Sequence, residues 1–203
     1  MPKLIIIAGC NGAGKSTFAT SFLPDGLISF DYDKLYLEYY NALPDSECRD
    51  KFAKDKTTQD FNNTIINALE NELDFCYETN FDINPTYWAE KFKEKGFTLN
   101  LIFFCLENQD IARHRVEERT EFKGHFVDNY TIDLKWKAGY KNLNKFYKIF
   151  DNILIVDNSR QKEVYSNILQ IVQGKIILMT DKIPEYFKHR LPKIHKMISS
   201  LNF

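Results

Sequence analysis

The most restrictive feature of this sequence is a strand, a glycine-rich turn and a helix in direct succession near its start. Residues 3–8, KLIIIA, form an apolar β-branched run typical of a strand that is buried on both faces of a parallel sheet. Residues 9–16, GCNGAGKS, match the spacing G-x-x-x-x-G-K-[ST], and a helical pattern begins at Lys15. Because the motif stands between a strand and a helix, the pattern predicts a phosphate-binding loop.

The residue types in this loop fit the binding of a nucleoside triphosphate. Glycines allow backbone N–H groups to surround phosphate oxygens, and the N-terminus of the following helix adds partial positive charge. We expect the Lys15 ammonium to reach the β- and γ-phosphates and the Ser16 hydroxyl to bind Mg²⁺. The predicted cofactors are therefore ATP or GTP, together with Mg²⁺. The predicted nucleotide-binding residues are Gly9, Asn11, Gly12, Ala13, Gly14, Lys15, Ser16 and Thr17.

Strand and helix patterns alternate along the rest of the first 160 residues. Further strands are predicted at 27–31, 74–78, 97–106 and 152–159. Such alternation is typical of an α/β protein with a doubly wound parallel sheet. We therefore predict a P-loop NTPase-type sheet of five strands flanked by helices.

Two smaller features accompany this predicted core, which spans residues 1–160. Residues 120–128 form a polar, glycine-containing stretch between two helical patterns, and we interpret them as a small lid. Residues 161–203 are predicted to form a C-terminal appendage packed on the same domain. Its first part reads as a β-hairpin that turns at Gln173-Gly174, and its end is helical.

Three carboxylates follow the predicted strands. Asp31 and Asp33 stand at the end of the second strand, and Glu78 closes the third. Ligands in an open α/β sheet bind beyond the carboxyl ends of the strands, so these groups are placed to act on a bound phosphate. We expect Asp33 to accept a proton from an acceptor hydroxyl, with Asp31 as its support, and Glu78 to hold Mg²⁺ with Ser16. Helix capping by the aspartates and an ordinary surface position for Glu78 are the alternatives.

The helix before the predicted lid carries cations of the kind that phosphoryl transfer requires. Arg115 and Arg119 are four residues apart and lean toward one side of the helix, whereas Arg113 points elsewhere. We predict that Arg115 and Arg119 are catalytic, because they can neutralise charge on the transferred phosphoryl group. The alternative is a surface helix in which they pair with Glu117 and Glu118.

The composition limits the partners. The formal net charge is −1 and the pI is about 6.4, so the chain as a whole provides no basic field for nucleic acid or an anionic membrane. The longest apolar run near the start, residues 4–8, is too short for a membrane span or the core of a signal peptide. The four cysteines form no C-x-x-C pair, which disfavours disulfides and structural zinc. We expect a cytoplasmic protein that binds neither nucleic acid nor membranes.

Taken together, these motifs resemble those of the zeta-toxin-like P-loop kinases, particularly the short stand-alone bacterial members. The segments that carry the resemblance are GCNGAGKST (9–17), DYD (31–33), YETN (77–80), ARHRVEER (112–119), KGHFV (123–127), NL (142–143) and VDNS (156–159). The resemblance implies an ATP-dependent phosphotransferase with an alcohol acceptor, in which Asp33 is the base. It also implies the 3′-hydroxyl of the amino sugar in UDP-N-acetylglucosamine as a candidate acceptor, and an antitoxin as a candidate partner that the sequence does not identify.

The chain departs from the family pattern in the lid and on the acceptor side. The lid commonly reads Gly-Gly-His in this family, whereas residues 123–125 read Lys-Gly-His. The third-strand motif commonly reads Glu-Thr-Thr, and Asn80 replaces the last threonine. In place of a run of arginines after the lid, the chain has Lys135 and Lys137, which supply charge without the guanidinium fork.

Two other functions fit a phosphate-binding loop. A polynucleotide end kinase calls for a basic groove with stacking aromatic side chains, and the C-terminal stretch KHRLPKIHK (188–196) supplies positive charge. A nucleotide-switched binding module would use hydrolysis to change a contact with a partner, and it needs no proton-accepting base. The carboxylates at the strand ends and the paired arginines favour a kinase that acts on a hydroxylated small molecule, such as a nucleotide sugar.

Overall fold

The computed structural model describes residues 1–121, 127–160 and 165–200. Its strands are β1 (Lys3–Ala8), β2 (Phe75–Thr79), β3 (Thr98–Cys105), β4 (Asn152–Asp157), β5 (Ser166–Val172) and β6 (Lys175–Met179). Its helices are α1 (Lys15–Phe18), α2 (Tyr32–Ala42), α3 (Arg49–Glu70), α4 (Tyr87–Glu94), α5 (Gln109–Glu121), α6 (Asn129–Phe146), α7 (Glu185–Arg190) and α8 (Pro192–Ser199). Short 3₁₀ turns follow α1 and α6.

One sheet contains these strands in the order β2-β1-β3-β4-β5-β6. The first four positions are parallel, with β1 between β2 and β3, and the connections between successive parallel strands contain helices. β5 and β6 run antiparallel at one edge. The prediction of an α/β fold with a mostly parallel sheet flanked by helices is confirmed.

The sheet differs from the prediction at the second strand. Residues 27–31 contribute only Phe30, which forms an isolated parallel bridge with Tyr77 of β2. The chain leaves the sheet directly afterwards because Asp31 Oδ1 accepts the backbone N–H of Lys34 and so caps α2. Helix initiation at Asp31 therefore ends the strand after one paired residue.

The C-terminal hairpin extends the main sheet, which has six strands in the described residues where five were expected. β5 pairs with β4 from Asn152 opposite Val172 onward, so the hairpin is continuous with the core sheet. The predicted turn at Gln173-Gly174 is confirmed, with φ values of 49° and 75°. A two-residue hairpin turn of type I′ requires positive φ at both positions, and glycine adopts it without strain.

The core surrounds the central strands. Residues Leu4–Ala8 of β1 are all buried, as are Leu101–Cys105 of β3, so both faces of these strands are covered. α6 is tied to the end of β3, because Trp136 Nε1 and the Tyr140 hydroxyl both donate to the Leu106 carbonyl, at 3.2 and 2.8 Å. Among the helices described, none has the length and hydrophobicity needed to cross a membrane.

Two isoleucines test the central position of β1. Ile6 on β1 is fully buried, whereas Ile28 is 84% exposed. We expect Ile6→Ala to lower the free energy of unfolding by about 2–5 kcal/mol, because it leaves a cavity in the core. Ile28→Ala should change it by less than about 0.5 kcal/mol. Urea denaturation measures both values, and equal losses in the two variants would contradict this placement.

Candidate active site

The loop between β1 and α1 has a conformation that glycine adopts most easily. Gly12 and Gly14 have φ values of 77° and 96°, in the left-handed region. The surroundings also leave no room for side chains. A Cβ on Gly12 would lie 2.6 Å from the Ala112 carbonyl oxygen, and a Cβ on Gly14 would lie 2.3 Å from Asn158 Nδ2. The loop is therefore enclosed by α5 on one side and by the segment after β4 on the other.

Asn158 supports the loop in a way that the sequence did not reveal. It follows β4, is 5% exposed, and donates Nδ2 to the Ala13 carbonyl at 2.8 Å. This bond joins the end of β4 to the turn that precedes α1. Asn158 belongs to the VDNS segment at 156–159, which is one of the segments that carry the family resemblance. Nothing in the sequence shows that its asparagine bonds to a residue 145 positions earlier.

Lys15 lies over the same loop. Its Nζ donates to the carbonyl oxygens of Gly9 and Cys10 at 2.8 and 3.2 Å, which places the ammonium at the turn that would surround phosphates. Burial raises the pKa of the Cys10 thiol to about 11. The thiol therefore stays protonated at neutral pH and acts as a small neutral residue of the loop.

Ser16, at the start of α1, lies between two carboxylates. Its Oγ is 2.8 Å from Asp31 Oδ2 and 2.7 Å from Glu78 Oε2. A hydroxyl group donates one hydrogen, so one of these two short contacts needs a proton from the carboxyl group. Burial, and then the neighbouring charge of Asp31, raise the pKa of Glu78 to about 7. Glu78 is therefore the carboxyl group that can carry this proton.

These three oxygens fit a hard cation. Mg²⁺ prefers oxygen ligands, and proteins usually hold it with one or two carboxylates together with phosphate oxygens of the substrate. In the part of the chain that the structure describes, no three His, Cys, Asp or Glu side chains form a metal-binding group. The residues that would hold Mg²⁺ are Ser16, Asp31 and Glu78. Sequence analysis predicted Ser16 and Glu78 as Mg²⁺ ligands, and the structure places Asp31 Oδ2 2.8 Å from Ser16 Oγ.

Asp33 lies in the first turn of α2 and lines the crevice beside the loop. Its Oδ2 accepts a hydrogen bond from Asn11 Nδ2 at 3.3 Å. Asn11 is 3% exposed, so a buried amide of the phosphate-binding loop orients this carboxylate. Both oxygens of Asp31 are already engaged, one by the cap of α2 and one by Ser16. The geometry therefore favours Asp33 over Asp31 as a proton acceptor.

The arginines of α5 have different surroundings. Arg115 is half-buried and donates to the Gly12 carbonyl at 3.4 Å, and burial lowers its pKa. Arg119 is one turn further along, is exposed and lines the crevice. Arg113 forms an ion pair with Asp133 of α6, in agreement with the expectation that it points elsewhere. Arg115 thus contacts the loop itself, while Arg119 lies at the open side of the crevice.

One open crevice of about 1280 Å³ is lined by Lys15, Ser16, Asp31, Asp33, Glu78, Arg115, Arg119 and Asn158. Beyond the phosphate-binding loop its wall is partly apolar and comes from α2, α3, α4, α6 and the segment between β2 and α4. The lining residues there are Tyr32, Lys34, Leu37, Phe61, Asn80, Asp82, Ile83, Asn84, Pro85, Trp88 and Lys135. This part of the crevice is open space directly beside the phosphate-binding loop.

The residues at which the chain departs from the family pattern differ in where they lie relative to the crevice. Asn80 and Lys135 both line the crevice. Lys137 is exposed on α6 and is not among the described lining residues. The predicted lid falls largely on residues 122–126, which lie outside the described residues, so the Lys-Gly-His segment has no described position.

Comparison with known proteins agrees with this geometry. The sequence model of the zeta toxin family matches residues 1–170. No curated protein sequence matches the chain. Because the family match covers most of the 203 residues, it extends well beyond the phosphate-binding motif.

Solved structures share the fold at low sequence identity. A chain of the PezAT chromosomal toxin–antitoxin system of Streptococcus pneumoniae has a TM-score of 0.62 and 17% identity, covering 100% of this chain and 88% of that chain. The AvrRxo1-ORF1:-ORF2 structure with ATP gives a TM-score of 0.66 at 10% identity, covering 98% and 64%. A chain of the Pnkp1/Rnl/Hen1 RNA repair complex gives 0.57 at 23% identity, covering 71% of this chain and only 46% of that chain. These similarities establish the fold alone.

The pKa of Glu78 predicts a pH dependence of stability. The carboxyl group has an ordinary pKa of 4.5 and a pKa of about 7 in the folded chain, so folding takes up a proton between these values. The free energy of unfolding should therefore fall as the pH rises from about 5 to about 8. We expect Glu78→Gln to lose this part of the dependence and Glu107→Gln, at an exposed position, to keep it. Urea denaturation in EDTA measures the slopes, and equal slopes in wild type and Glu78→Gln would refute the assignment.

Proposed function

Because the chain belongs to the zeta toxin family, we propose that it is a kinase that transfers the γ-phosphoryl group of ATP to a hydroxyl group of a small metabolite. The observation that carries this proposal is the position of Asp33, whose carboxylate is held against the phosphate-binding loop by Asn11 at 3.3 Å. A carboxylate in this place can accept the proton of an acceptor hydroxyl while the hydroxyl oxygen attacks the γ-phosphorus. A hydrolytic switch has no need for such a group.

The other residues orient the phosphates and stabilise their charge. Lys15 neutralises the β- and γ-phosphates, and Ser16, Asp31 and Glu78 hold Mg²⁺, which when bound supplies further positive charge to the phosphate oxygens. Arg119 contacts the phosphoryl group as its charge redistributes. The bond that forms joins the acceptor oxygen to the γ-phosphorus, the bond that breaks releases ADP, and the base takes the proton.

The charge of the crevice favours a small acceptor over the end of a nucleic acid. Among the described residues that line it, six side chains are cationic and five are acidic, which is not the basic groove that binds a polynucleotide. Phe61 and Trp88 add aromatic surface beside the polar groups. A nucleotide sugar combines an aromatic base, phosphates and several hydroxyl groups. We propose the amino-sugar 3′-hydroxyl of UDP-N-acetylglucosamine as the first acceptor to test.

A protein partner is a further part of the proposal. It rests on the family and on the similarity in fold to a chain of the PezAT toxin–antitoxin system. We propose that an antitoxin, if the chain has one, acts by limiting access to the crevice, because both ATP and the acceptor must enter there.

Transfer from ATP labelled at its γ-phosphate tests the proposal directly. The chain is incubated with Mg²⁺ and UDP-N-acetylglucosamine, other nucleotide sugars or an oligonucleotide with a 5′-hydroxyl, and Lys15→Ala serves as the inactive control. We expect label on a sugar hydroxyl in the wild type and none in the control. Label on the oligonucleotide alone would make the chain an end kinase, and release of free phosphate without transfer would support a nucleotide switch.

Asp33→Asn tests the proton acceptor. The amide keeps the size of the side chain and loses its basicity, so we expect transfer to fall on the order of a hundredfold or more. ATP affinity and the melting temperature should stay close to the wild-type values, as measured by calorimetry. The companion variant Asp31→Asn should instead weaken Mg²⁺ binding, so that more Mg²⁺ is needed for half-maximal activity. Full transfer by Asp33→Asn, with loss in Asp31→Asn, would exchange the two roles.

The two arginines should respond differently to substitution. Arg119→Ala should lower kcat by about 10–100-fold with little change in ATP affinity, because its charge is needed as the phosphoryl group moves. Arg115→Ala should also weaken ATP binding, since its guanidinium contacts the Gly12 carbonyl of the loop. Arg113→Ala is the control, because Arg113 pairs with Asp133. Steady-state kinetics decide, and equal effects of Arg113→Ala and Arg119→Ala would argue against this role.

A further inference from the structure

Residues 80–85, in the segment between β2 and α4, form one side of the crevice, and we call them the acceptor wall. It begins two residues after Glu78, and most of its residues line the crevice. Asp33 lines the same crevice. An acceptor bound against this wall would therefore share the crevice with the proposed base.

The backbone of the acceptor wall is strained. Phe81 and Asn84 have φ values of 60° and 44°, and this left-handed conformation is rare for a bulky residue such as phenylalanine. Phe81 is fully buried, and its ring lies against Phe103 and Phe150 with centroids 6.3 and 6.1 Å apart. Such a conformation persists only where the surrounding structure enforces it.

Asn142 on α6 is one source of this enforcement, beside the ring packing and the Phe81 N–H bond to Thr79 Oγ1 at 3.0 Å. Its Nδ2 donates to the carbonyl oxygens of Phe81 at 2.9 Å and Asp82 at 2.7 Å. A side-chain amide nitrogen carries two hydrogens, so both are used on consecutive carbonyls of the acceptor wall. One turn earlier, Gly139 allows α6 to approach the wall closely, since a Cβ there would lie 3.0 Å from the Asn80 carbonyl oxygen.

We infer that Asn142 is a positioning residue for the acceptor: by holding the carbonyls of Phe81 and Asp82, it sets the distance between the acceptor wall and Asp33. That Asn142 positions the acceptor for catalysis rests on the proposed kinase function. That Asn142 holds residues 80–85 in place rests on its two hydrogen bonds alone. Asn142 is not among the described residues that line the crevice. It therefore acts through the wall and leaves the phosphate-binding loop unchanged.

Two asparagine-to-aspartate substitutions on α6 form a matched pair. Asn142→Asp keeps the shape of the side chain but removes both N–H donors and places a carboxylate against two carbonyl oxygens. Asn144→Asp is the control, because Asn144 Oδ1 accepts the Lys193 N–H at 2.9 Å and an aspartate accepts it equally well. The chemical change is the same, and only the loss of donors at Asn142 should matter.

Two measurements on intact protein test the inference. With UDP-N-acetylglucosamine as the probe, Asn142→Asp should raise the KM for the acceptor by about tenfold or more while the KM for ATP stays within about twofold. Asn144→Asp should resemble the wild type in both. Hydrogen exchange, which needs no acceptor, should accelerate at residues 80–85 in Asn142→Asp and stay unchanged at residues 9–14.

The inference is overturned if the two KM values rise together, or if exchange at residues 80–85 is the same in both variants. If the wild type transfers no phosphate to UDP-N-acetylglucosamine, the proposed acceptor is wrong and the exchange data alone decide on Asn142. If Asn142→Asp does not fold, Gly139→Ala is the second variant, because its added Cβ would lie 3.0 Å from the Asn80 carbonyl oxygen and would push the acceptor wall away from α6. Gly139→Ala should then raise the KM for the acceptor while the KM for ATP stays close to the wild-type value. Equal changes in the two KM values would reject the role of α6.

Discussion

The parallel pairing of β1 with both of its neighbours is the constraint on which the site depends. It places Ala8 opposite Thr79 of β2 and Phe103 of β3, so three segments leave the sheet at one edge. The phosphate-binding loop after β1 therefore starts beside the end of β2, which carries Glu78 and leads into the acceptor wall, although 62 positions separate Ser16 from Glu78. A buried sheet holds these segments in place and leaves their side chains to the chemistry, as in other open α/β proteins.

Two carboxyl groups of the site, those of Glu78 and Asp31, lie so close together that their charges repel each other. Glu78 is partly buried next to Asp31, and both effects favour its protonated form. A cation placed among Ser16, Asp31 and Glu78 would reverse this preference, because it removes the repulsion between the two carboxylates. Perturbed acids of this kind cluster where proteins bind ligands, and here the perturbed acid lies beside the phosphate-binding loop.

α6 connects parts of the molecule that the sequence presents separately. Trp136 and Tyr140 bind the end of β3, Asn142 binds the acceptor wall, and Asn144 binds the backbone at Lys193 in α8. Positions held by a packed helix are more precise than positions held by a loop alone. The wall formed by residues 80–85 is therefore tied to a helix of which, among the described residues, only Lys135 lines the crevice.

Local chemistry made the start of the chain predictable, because the apolar run of β1, the glycines with positive φ and the Lys15-Ser16 pair act within a few residues of one another. The turn at Gln173-Gly174 was predictable for the same reason, because its conformation depends on neighbouring residues. Only the tertiary structure decided that Phe30 forms a single bridge, that the hairpin joins the main sheet, and that Asn158 and Asn142 bond to distant carbonyls. These features depend on which strands become neighbours, and that order is set by packing over the whole chain, which no local pattern contains.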